Sequence, residues 1–181
     1  MEDLLLIGNG PSVLRARLGD EIDGFSGKIV RFNNYSIAGF EEFVGSRTDF
    51  WVTLAKFREA SSHVHEKRFF CRTCPEEEQQ RIISSIGGEL EVIPHSSKLK
   101  TGLMMQFNHP STGAIMTGYF LDKGYNIWIY GFDYLNEELP HHYNGDGIVR
   151  GPWHNYEKEK AFFKKLIESD KIHLFGSMIN V

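Results

Sequence analysis

The sequence contains few cysteines and no long apolar run, and each absence argues against a class of protein. Cysteine occurs twice, at Cys71 and Cys74, with no second C-x-x-C pair and no nearby H-x-x-x-H spacing. We expect ordinary thiols near a strand end, because a structural zinc site needs four ligands. No stretch of about 18 apolar residues is present to span a bilayer, and two acids follow Met1 where a secretory signal is basic. These features predict a cytoplasmic protein without a membrane span.

An excess of basic residues and a cation-binding Asp-x-Asp are also missing. The 181 residues include 20 Lys and Arg against 24 Asp and Glu, a net charge of −4 that argues against a nucleic-acid partner. The nearest approach to Asp-x-Asp is Glu21-x-Asp23, so we expect neither a metal-held diphosphate leaving group nor a cofactor. What is present is a composition of 41% hydrophobic residues, which supports one packed domain over residues 1–181.

Apolar segments alternate with helical ones along the chain. Seven segments have the length and composition of strands, at residues 4–7, 28–32, 50–54, 68–71, 91–93, 125–130 and 172–175. Helical turns are predicted from Pro11, over 76–86, over 111–123 and over 155–169. Residues 134–153 lack an apolar period and are predicted to be a long loop, a candidate lid over the site. The alternation predicts an α/β protein with a mostly parallel sheet and helices on both faces.

Polar loops follow several predicted strands, and in such sheets ligands bind beyond the carboxyl ends of the strands. The two glycines of the first loop favour close approach of the backbone to a phosphate. However, Val13 stands where the dinucleotide fingerprint has its third glycine, and the second strand ends at Asn33 instead of an acid, which disfavours NAD. The loop residues expected at this edge are Gly8, Asn9, Gly10, Ser12, Asn33, Asn34, Ser111, Thr112, Gly113 and Asp133.

Amides and a helix start at this edge suit a nucleotide ligand. An Asn side chain both donates and accepts, so it can bind a ribose hydroxyl or a pyrimidine edge without adding charge beside a phosphate. The N–H groups of the helix start that Ser111 caps suit a phosphate. Each residue has a structural alternative: Asn9 and Asn33 could tie loops together, and Ser111 could act only as a cap.

Histidines are concentrated near the same edge. Imidazole titrates near neutral pH, so it can take a proton from a sugar hydroxyl or support a departing phosphate. A surface or structural position is the alternative for each of them. Four of the eight histidines lie beside the crevice or in the candidate lid: His109, His141, His142 and His154. For His63, His65, His95 and His173 we expect a surface or structural position without a role in chemistry.

Several segments together resemble, in the right order, the four sialylmotifs of glycosyltransferase family 29, the sialyltransferases. Residues 7–12, 19–23, 29–34 and 44–49 look like the large sialylmotif, and residues 110–113 with 130–133 look like the small one. His141-His142-Tyr143 is similar to the His-Tyr motif, and His154 with Glu159 fits the very short motif. The opening Gly-Asn-Gly-Pro-Ser also resembles the bacterial sialyltransferases of family 42.

The resemblance implies a metal-independent, inverting glycosyltransferase on a Rossmann-like, GT-A-like fold. Its donor would be a CMP-sugar carrying sialic acid or a related acidic sugar, and its acceptor a glycan hydroxyl. His142 would assist the departing phosphate, and His154 would deprotonate the acceptor. Asn9 and Asn33 would hold the cytidine nucleotide, Ser111, Thr112 and Gly113 would hold ribose and phosphate, and Gly10 and Asp133 are counted with the substrate-binding residues.

Glu159 is counted with the catalytic residues, although its geometry leaves alternatives open. At about 100° per residue, a five-residue step along a helix would turn Glu159 away from His154 unless His154 precedes the helix. We expect that arrangement, with Asn155 as the cap. Glu157 is the alternative orienting acid, and a salt bridge on an exposed helix face is the structural alternative for Glu159.

Two other functions compete with transfer. A non-catalytic nucleotide- or glycan-binding module would keep the fold without turnover, and a nicotinamide-dependent oxidoreductase is disfavoured by the incomplete glycine fingerprint. Animal members of the resembled family are larger, carry a membrane anchor and join the large and small motifs by a disulfide. Neither motif contains a cysteine here, which fits a compact form in a reducing cytoplasm.

Overall fold

The computed structural model describes residues 1–54, 63–71, 76–86, 89–93, 110–133, 142–145 and 155–176. Within these ranges the strands are β1 (Asp3–Ile7), β2 (Lys28–Phe32), β3 (Phe50–Thr53), β4 (Lys67–Phe70), β5 (Glu91–Val92), β6 (Asn126–Tyr130) and β7 (Ile172–Leu174). The helices are α1 (Gly19–Asp23), α2 (Glu41–Val44), α3 (Glu76–Ile86), α4 (Thr112–Asp122) and α5 (Tyr156–Glu168), with a 3₁₀ helix at Pro11–Arg15.

The seven described strands form one sheet in the order β5-β4-β3-β2-β1-β6-β7. Every described pairing is parallel; Leu5, for example, lies opposite Ile29 of β2 and Trp128 of β6. The chain builds outward from β1 to β5 and then returns to place β6 on the other side of β1. The carboxyl ends of β1 and β6 therefore flank the point where the strand order reverses, the usual ligand crevice of an open α/β sheet.

Helices cover both faces of the sheet, as alternating side chains on buried strands require. Helices α4 and α5 pack on one face, and α1 and α3 pack on the other. The first layer includes Leu4, Leu6, Val30, Phe120 and Phe163. The second layer includes Leu5, Ile7, Ile22 and Ile29 near α1, and Trp51, Phe70 and Ile86 near α3.

The predicted α/β, Rossmann-like class is confirmed, and all seven predicted strands are present within a residue or two of their expected bounds. Ser111 caps α4 by accepting a hydrogen bond from the N–H of Ala114, and Asn155 caps α5 through the N–H of Lys158. Helices α1 and α2 were not predicted. They have five and four residues, too few for an apolar period, and the side chains of Leu18 and Phe40 give neither helix a capping hydrogen bond.

Two further expectations concern larger segments. Of the candidate lid at 134–153, the structure describes only residues 142–145, so the remainder of that prediction lies outside the described residues. In the ranges given above, no helix combines the length and apolar character needed to cross a membrane.

Candidate active site

The loop after β1 is held against the carboxyl end of β6 by backbone contact. The N–H of Gly8 donates to the carbonyl of Tyr130 at 2.8 Å, and the N–H of Gly10 donates to the carbonyl of Gly131 at 3.0 Å. A Cβ atom on Gly8 would lie 2.4 Å from the oxygen of Gly131, and one on Gly10 would lie 2.5 Å from Cγ of Asp133. Glycine is therefore required here for the approach of the chain to itself, a reason independent of any phosphate.

Asp133, which follows β6, also contacts the loop after β1 through a hydrogen bond. Its Oδ2 accepts a hydrogen bond of 2.8 Å from the N–H of Ser12, in the first turn of the 3₁₀ helix. A carboxylate at a helix start is stabilised by the N–H groups there. Asp133 is thus placed beside Gly10 as part of the loop framework, at the edge where substrate binding was predicted.

Asn9 lies between the loops after β1 and β2. Its Nδ2 donates to the carbonyl of Phe32, the last residue of β2, at 3.0 Å. A carbonyl can only accept, so this bond fixes which end of the amide is nitrogen. Oδ1 of Asn9 has no hydrogen bond to any residue in the described ranges, and the side chain is half-buried at the crevice.

Asn33 is held through its amide oxygen, whereas Asn9 is held through its amide nitrogen. Its Oδ1 accepts from the N–H of Leu54 at 3.1 Å, and its carbonyl accepts from Nε1 of Trp51 at 2.9 Å. The φ angle is +49°, in the left-handed region that Asn tolerates better than most residues. Within the described part of the chain Nδ2 has no hydrogen bond, so Asn33 offers a donor to a ligand where Asn9 offers an acceptor.

The start of α4 supplies the third element of the edge. A helix that crosses between parallel strands runs antiparallel to them, so its N-terminus lies at their carboxyl ends. Oγ of Ser111 accepts from the N–H of Ala114 at 3.2 Å, which confirms the capping role. The N–H groups of Thr112 and Gly113 have no hydrogen bond to the described residues, as is usual in a first turn, and they are the predicted phosphate contacts.

Glu159 contacts this helix start from α5. The side chain is 0% exposed, and its Oε1 accepts a hydrogen bond of 2.6 Å from the N–H of Ser111. An exposed surface salt bridge, the structural alternative, does not describe a buried side chain, whereas Glu157 is exposed. His154 lies outside the described residues, so its relation to either acid stays a prediction.

Residues 142–145, which we call the strap, connect the first two loops. The N–H of Tyr143 donates to the carbonyl of Asn9 at 2.9 Å. Its hydroxyl donates to the carbonyl of Ser36 and accepts the N–H of Ser36 at 3.1 Å. Nδ2 of Asn144 donates to the carbonyl of Asn34 at 2.9 Å. His142, predicted to act on the phosphate, therefore lies next to a residue bonded to both loops, whereas His141 and His109 lie outside the described ranges.

Arg31 of β2 is a buried cation near the site that was not identified from the sequence. Arg31 of β2 is 0% exposed, and its guanidinium donates to Oγ1 of Thr48 at 2.8 Å and to the carbonyls of Val44 at 2.5 Å and Arg47 at 3.1 Å. Burial lowers the pKa of Arg31, while interactions with Tyr143, Tyr35 and Asp23 oppose that shift. An Arg between apolar residues within a strand is the pattern that could have identified it.

Tyr35, in the loop after β2, packs in a cluster of rings with His63, His65 and Trp51. The hydroxyl of Tyr35 lies 3.2 Å from Nδ1 of His63 and 2.8 Å from Nε2 of His65. The His65 ring stacks on Trp51 with centroids 5.3 Å apart, and Trp51 in turn donates to Asn33. Burial, with Arg68 and His63 nearby, lowers the pKa of His65 to about 4. Both histidines therefore take part in packing and hydrogen bonding around Tyr35, and the structural role preferred for them stays a prediction.

The structure thus brings Asn9, Gly10, Asn33 and the strap together around the ends of β1 and β2. Ser111, Thr112 and Gly113 lie at the same edge of the sheet, tied to Glu159. Among the residues described, no group of three or more His, Cys, Asp and Glu side chains is arranged to hold a metal ion. The arrangement offers one amide donor, one amide acceptor and a helix start, a set suited to a phosphorylated nucleoside.

Comparison with known proteins identifies the family. The model of glycosyltransferase family 29 (sialyltransferase) matches residues 5–86 and 90–171. A Rattus norvegicus protein, CMP-N-acetylneuraminate-beta-1,4-galactoside alpha-2,3-sialyltransferase, is 24% identical over an alignment 210 positions long, which covers 91% of this chain and 55% of the relative. The chain therefore spans about half the length of this curated relative.

Two solved structures share the fold. A crystal structure of a mammalian sialyltransferase matches with a TM-score of 0.71 at 20% identity, covering 96% of this chain and 68% of that one. A mammalian sialyltransferase in complex with Gal-beta-1-3GalNAc-ortho-nitrophenol matches with a TM-score of 0.66 at 20% identity, covering 96% and 69%. With the family match over both halves of the chain, these findings confirm the resemblance: the chain belongs to glycosyltransferase family 29, the sialyltransferases.

Proposed function

We propose that this chain transfers sialic acid, or a related acidic sugar, from a CMP-sugar to a glycan hydroxyl. Membership of the sialyltransferase family supports the reaction class. The observation that carries the proposal for this chain is the pair of amides of opposite polarity at the crevice. Asn9 retains an acceptor and Asn33 a donor because backbone groups occupy the other end of each amide.

The residues of the helix start complete the donor site in this proposal. The N–H groups of Thr112 and Gly113 bind the phosphate of the CMP-sugar, and Ser111 holds the turn that presents them. His142 supports the phosphate as the nucleotide departs, and His154 takes the proton of the acceptor hydroxyl as it attacks the anomeric carbon. CMP leaves, and the sugar is joined to the acceptor with inversion.

Glu159 acts as a positioning residue in this scheme. Its buried carboxylate bonds to the N–H of Ser111, so it fixes the turn that carries Thr112 and Gly113. Because α5 follows His154 directly in the chain, the same contact joins the segment carrying the proposed base to the helix carrying the phosphate site. Replacement by Gln would keep an acceptor for Ser111, whereas replacement by Ala would remove it.

The acceptor class is proposed from the relatives. The rat protein is named for a galactoside acceptor, and one matched structure is a complex with a galactosyl disaccharide derivative. A terminal β-galactoside is therefore the first acceptor to test. We also propose that transfer needs no divalent cation, because the sequence lacks Asp-x-Asp. The cytoplasm is the proposed compartment, because neither the large nor the small sialylmotif contains a cysteine.

Turnover tests this proposal. Purified protein is incubated with CMP-sialic acid and a β-galactoside, with EDTA or with Mg²⁺, and both sialylated product and free CMP are measured. We expect equal product in both conditions, with His154→Ala abolishing transfer while CMP still binds. CMP binding without product would contradict catalysis and favour a nucleotide-binding module. Activity restored only by Mg²⁺ would contradict cation independence.

A further inference from the structure

The strap stands out because one side chain in it bonds to both loops of the proposed nucleotide site. Tyr143 is separated from Asn9 by 134 positions in the chain and from Ser36 by 107, so these contacts close the site across most of the sequence. Its hydroxyl serves the N–H and the carbonyl of Ser36 together, which makes it both acceptor and donor to one residue. A phenol hydroxyl can do so because its one oxygen both donates and accepts.

The ring of Tyr143 is anchored as firmly as its hydroxyl. It is 7% exposed and packs with Val13 and Val44, and the Phe40 ring meets it edge-to-face with centroids 5.0 Å apart. Val13 belongs to the 3₁₀ helix after the first loop, and Val44 to α2. The ring therefore packs against the 3₁₀ helix that follows the loop of Asn9 and against α2, which follows the loop of Asn33.

We propose that Tyr143 is a positioning residue that sets the spacing between the loops of Asn9 and Asn33 and fixes His142, its neighbour, against the site. The inference rests on the proposed function, because His142 is taken there to support the departing phosphate. The backbone bond to Asn9 locates the strap on one loop, and the hydroxyl locates it on the other. Without the hydroxyl, Ser36 loses two hydrogen bonds while the ring still fills its place.

The physical consequence is a defect in alignment. Tyr143→Phe keeps the volume of the ring and the N–H bond to Asn9, so the fold should survive. Misplacing a catalytic group by about 1 Å is enough to reduce a rate by up to a hundredfold, so we expect kcat to fall by roughly tenfold to a hundredfold. The KM for the donor should change less, because both amides keep their own backbone contacts.

The test measures kcat and KM for Tyr143→Phe, for His142→Ala and for the double variant. A positioning role predicts that His142→Ala costs less in the Tyr143→Phe background than in the native one, because the histidine is already displaced. Tyr119→Phe is the matched control: its hydroxyl donates to Glu91, far along α4 from the site, and native kinetics are expected. Native kinetics for Tyr143→Phe, or strictly additive losses, would overturn the proposal.

Hydrogen exchange provides a readout that needs no substrate. In Tyr143→Phe, the amide of Ser36 should exchange faster, while Tyr119→Phe should leave it unchanged. Asn144→Ala, which removes the bond to Asn34 without touching the core, should give a smaller loss of kcat in the same direction. Unchanged exchange at Ser36 would overturn the positioning role of Tyr143, whether or not the native protein turns over a CMP-sugar. Absence of turnover in the native protein would refute only the proposed function.

Discussion

The two loops that meet at the crevice are held by opposite means. Residues 8–10 lie so close to residues 131–133 that the contact depends on the absence of side chains. Residues 33–36 are held by side chains from elsewhere, the indole of Trp51 and the phenol of Tyr143. The first loop therefore tolerates almost no change in volume. The second is adjustable, because its position depends on individual side-chain hydrogen bonds that can be removed one at a time.

The largest expected effect is on the first loop. Gly8→Ala would place Cβ 2.4 Å from the oxygen of Gly131, a backbone atom that cannot rotate away. We expect the free energy of unfolding to fall by about 3 kcal/mol, measured by denaturant titration. Gly24→Ala is the control, because its Cβ would lie 3.2 Å from the nearest atom and its φ is −79°. Equal stability of the two variants would contradict the close-contact account.

A smaller effect is expected on the second loop from Trp51→Phe. The variant loses the indole bond to Asn33 and part of the ring volume, so we expect the free energy of unfolding to fall by about 2 kcal/mol. CMP should also bind several times more weakly, as measured by calorimetry. Trp128→Phe is the control, because its Nε1 has no hydrogen bond in the described part of the chain. Equal CMP affinity in both variants would show that Trp51 does not position Asn33.

The smallest effect concerns pH. Because burial lowers the pKa of His65 to about 4, the unfolded chain binds a proton more readily than the folded one between that value and the ordinary His pKa of about 6.5. Stability should thus be complete above about pH 6.5 and decline as the pH falls towards 4. His65→Phe keeps a ring on Trp51 and should reduce this decline. The same pH dependence of unfolding in both proteins would be evidence against a neutral, half-buried His65 imidazole.

The strands and the two capped helices were accessible from sequence because their causes are local. An apolar run bounded by polar residues predicts β1, and Ser111 and Asn155 are capping types directly before periodic segments. Helices α1 and α2 were missed because their few residues are stabilised mainly by tertiary contacts. Asp23, for example, accepts hydrogen bonds from the N–H groups of Ser46 and Arg47, at least 23 positions away.

The residue types at the site were predictable from sequence, but the end of each Asn amide that is left for a ligand was not. Sequence placed Asn9 and Asn33 at the crevice and left open whether they bind a ligand or tie loops together. The structure shows loop-tying bonds for one end of each amide, and those bonds involve Phe32 and Leu54, partners that no local pattern indicates. The burial of Glu159 was equally hidden, because α5 carries acids and lysines on several sides.

The central claim is that Asn33 presents its amide N–H₂ to the nucleotide, and Asn33→Asp tests it most directly. Asp keeps an oxygen for the N–H of Leu54 and tolerates the positive φ, but it removes the donor. Calorimetry of CMP binding at low and high salt separates the lost donor from simple charge repulsion, which salt screens. We predict a folded variant with at least tenfold weaker CMP binding at both salt concentrations. Native affinity at either concentration would contradict the claim.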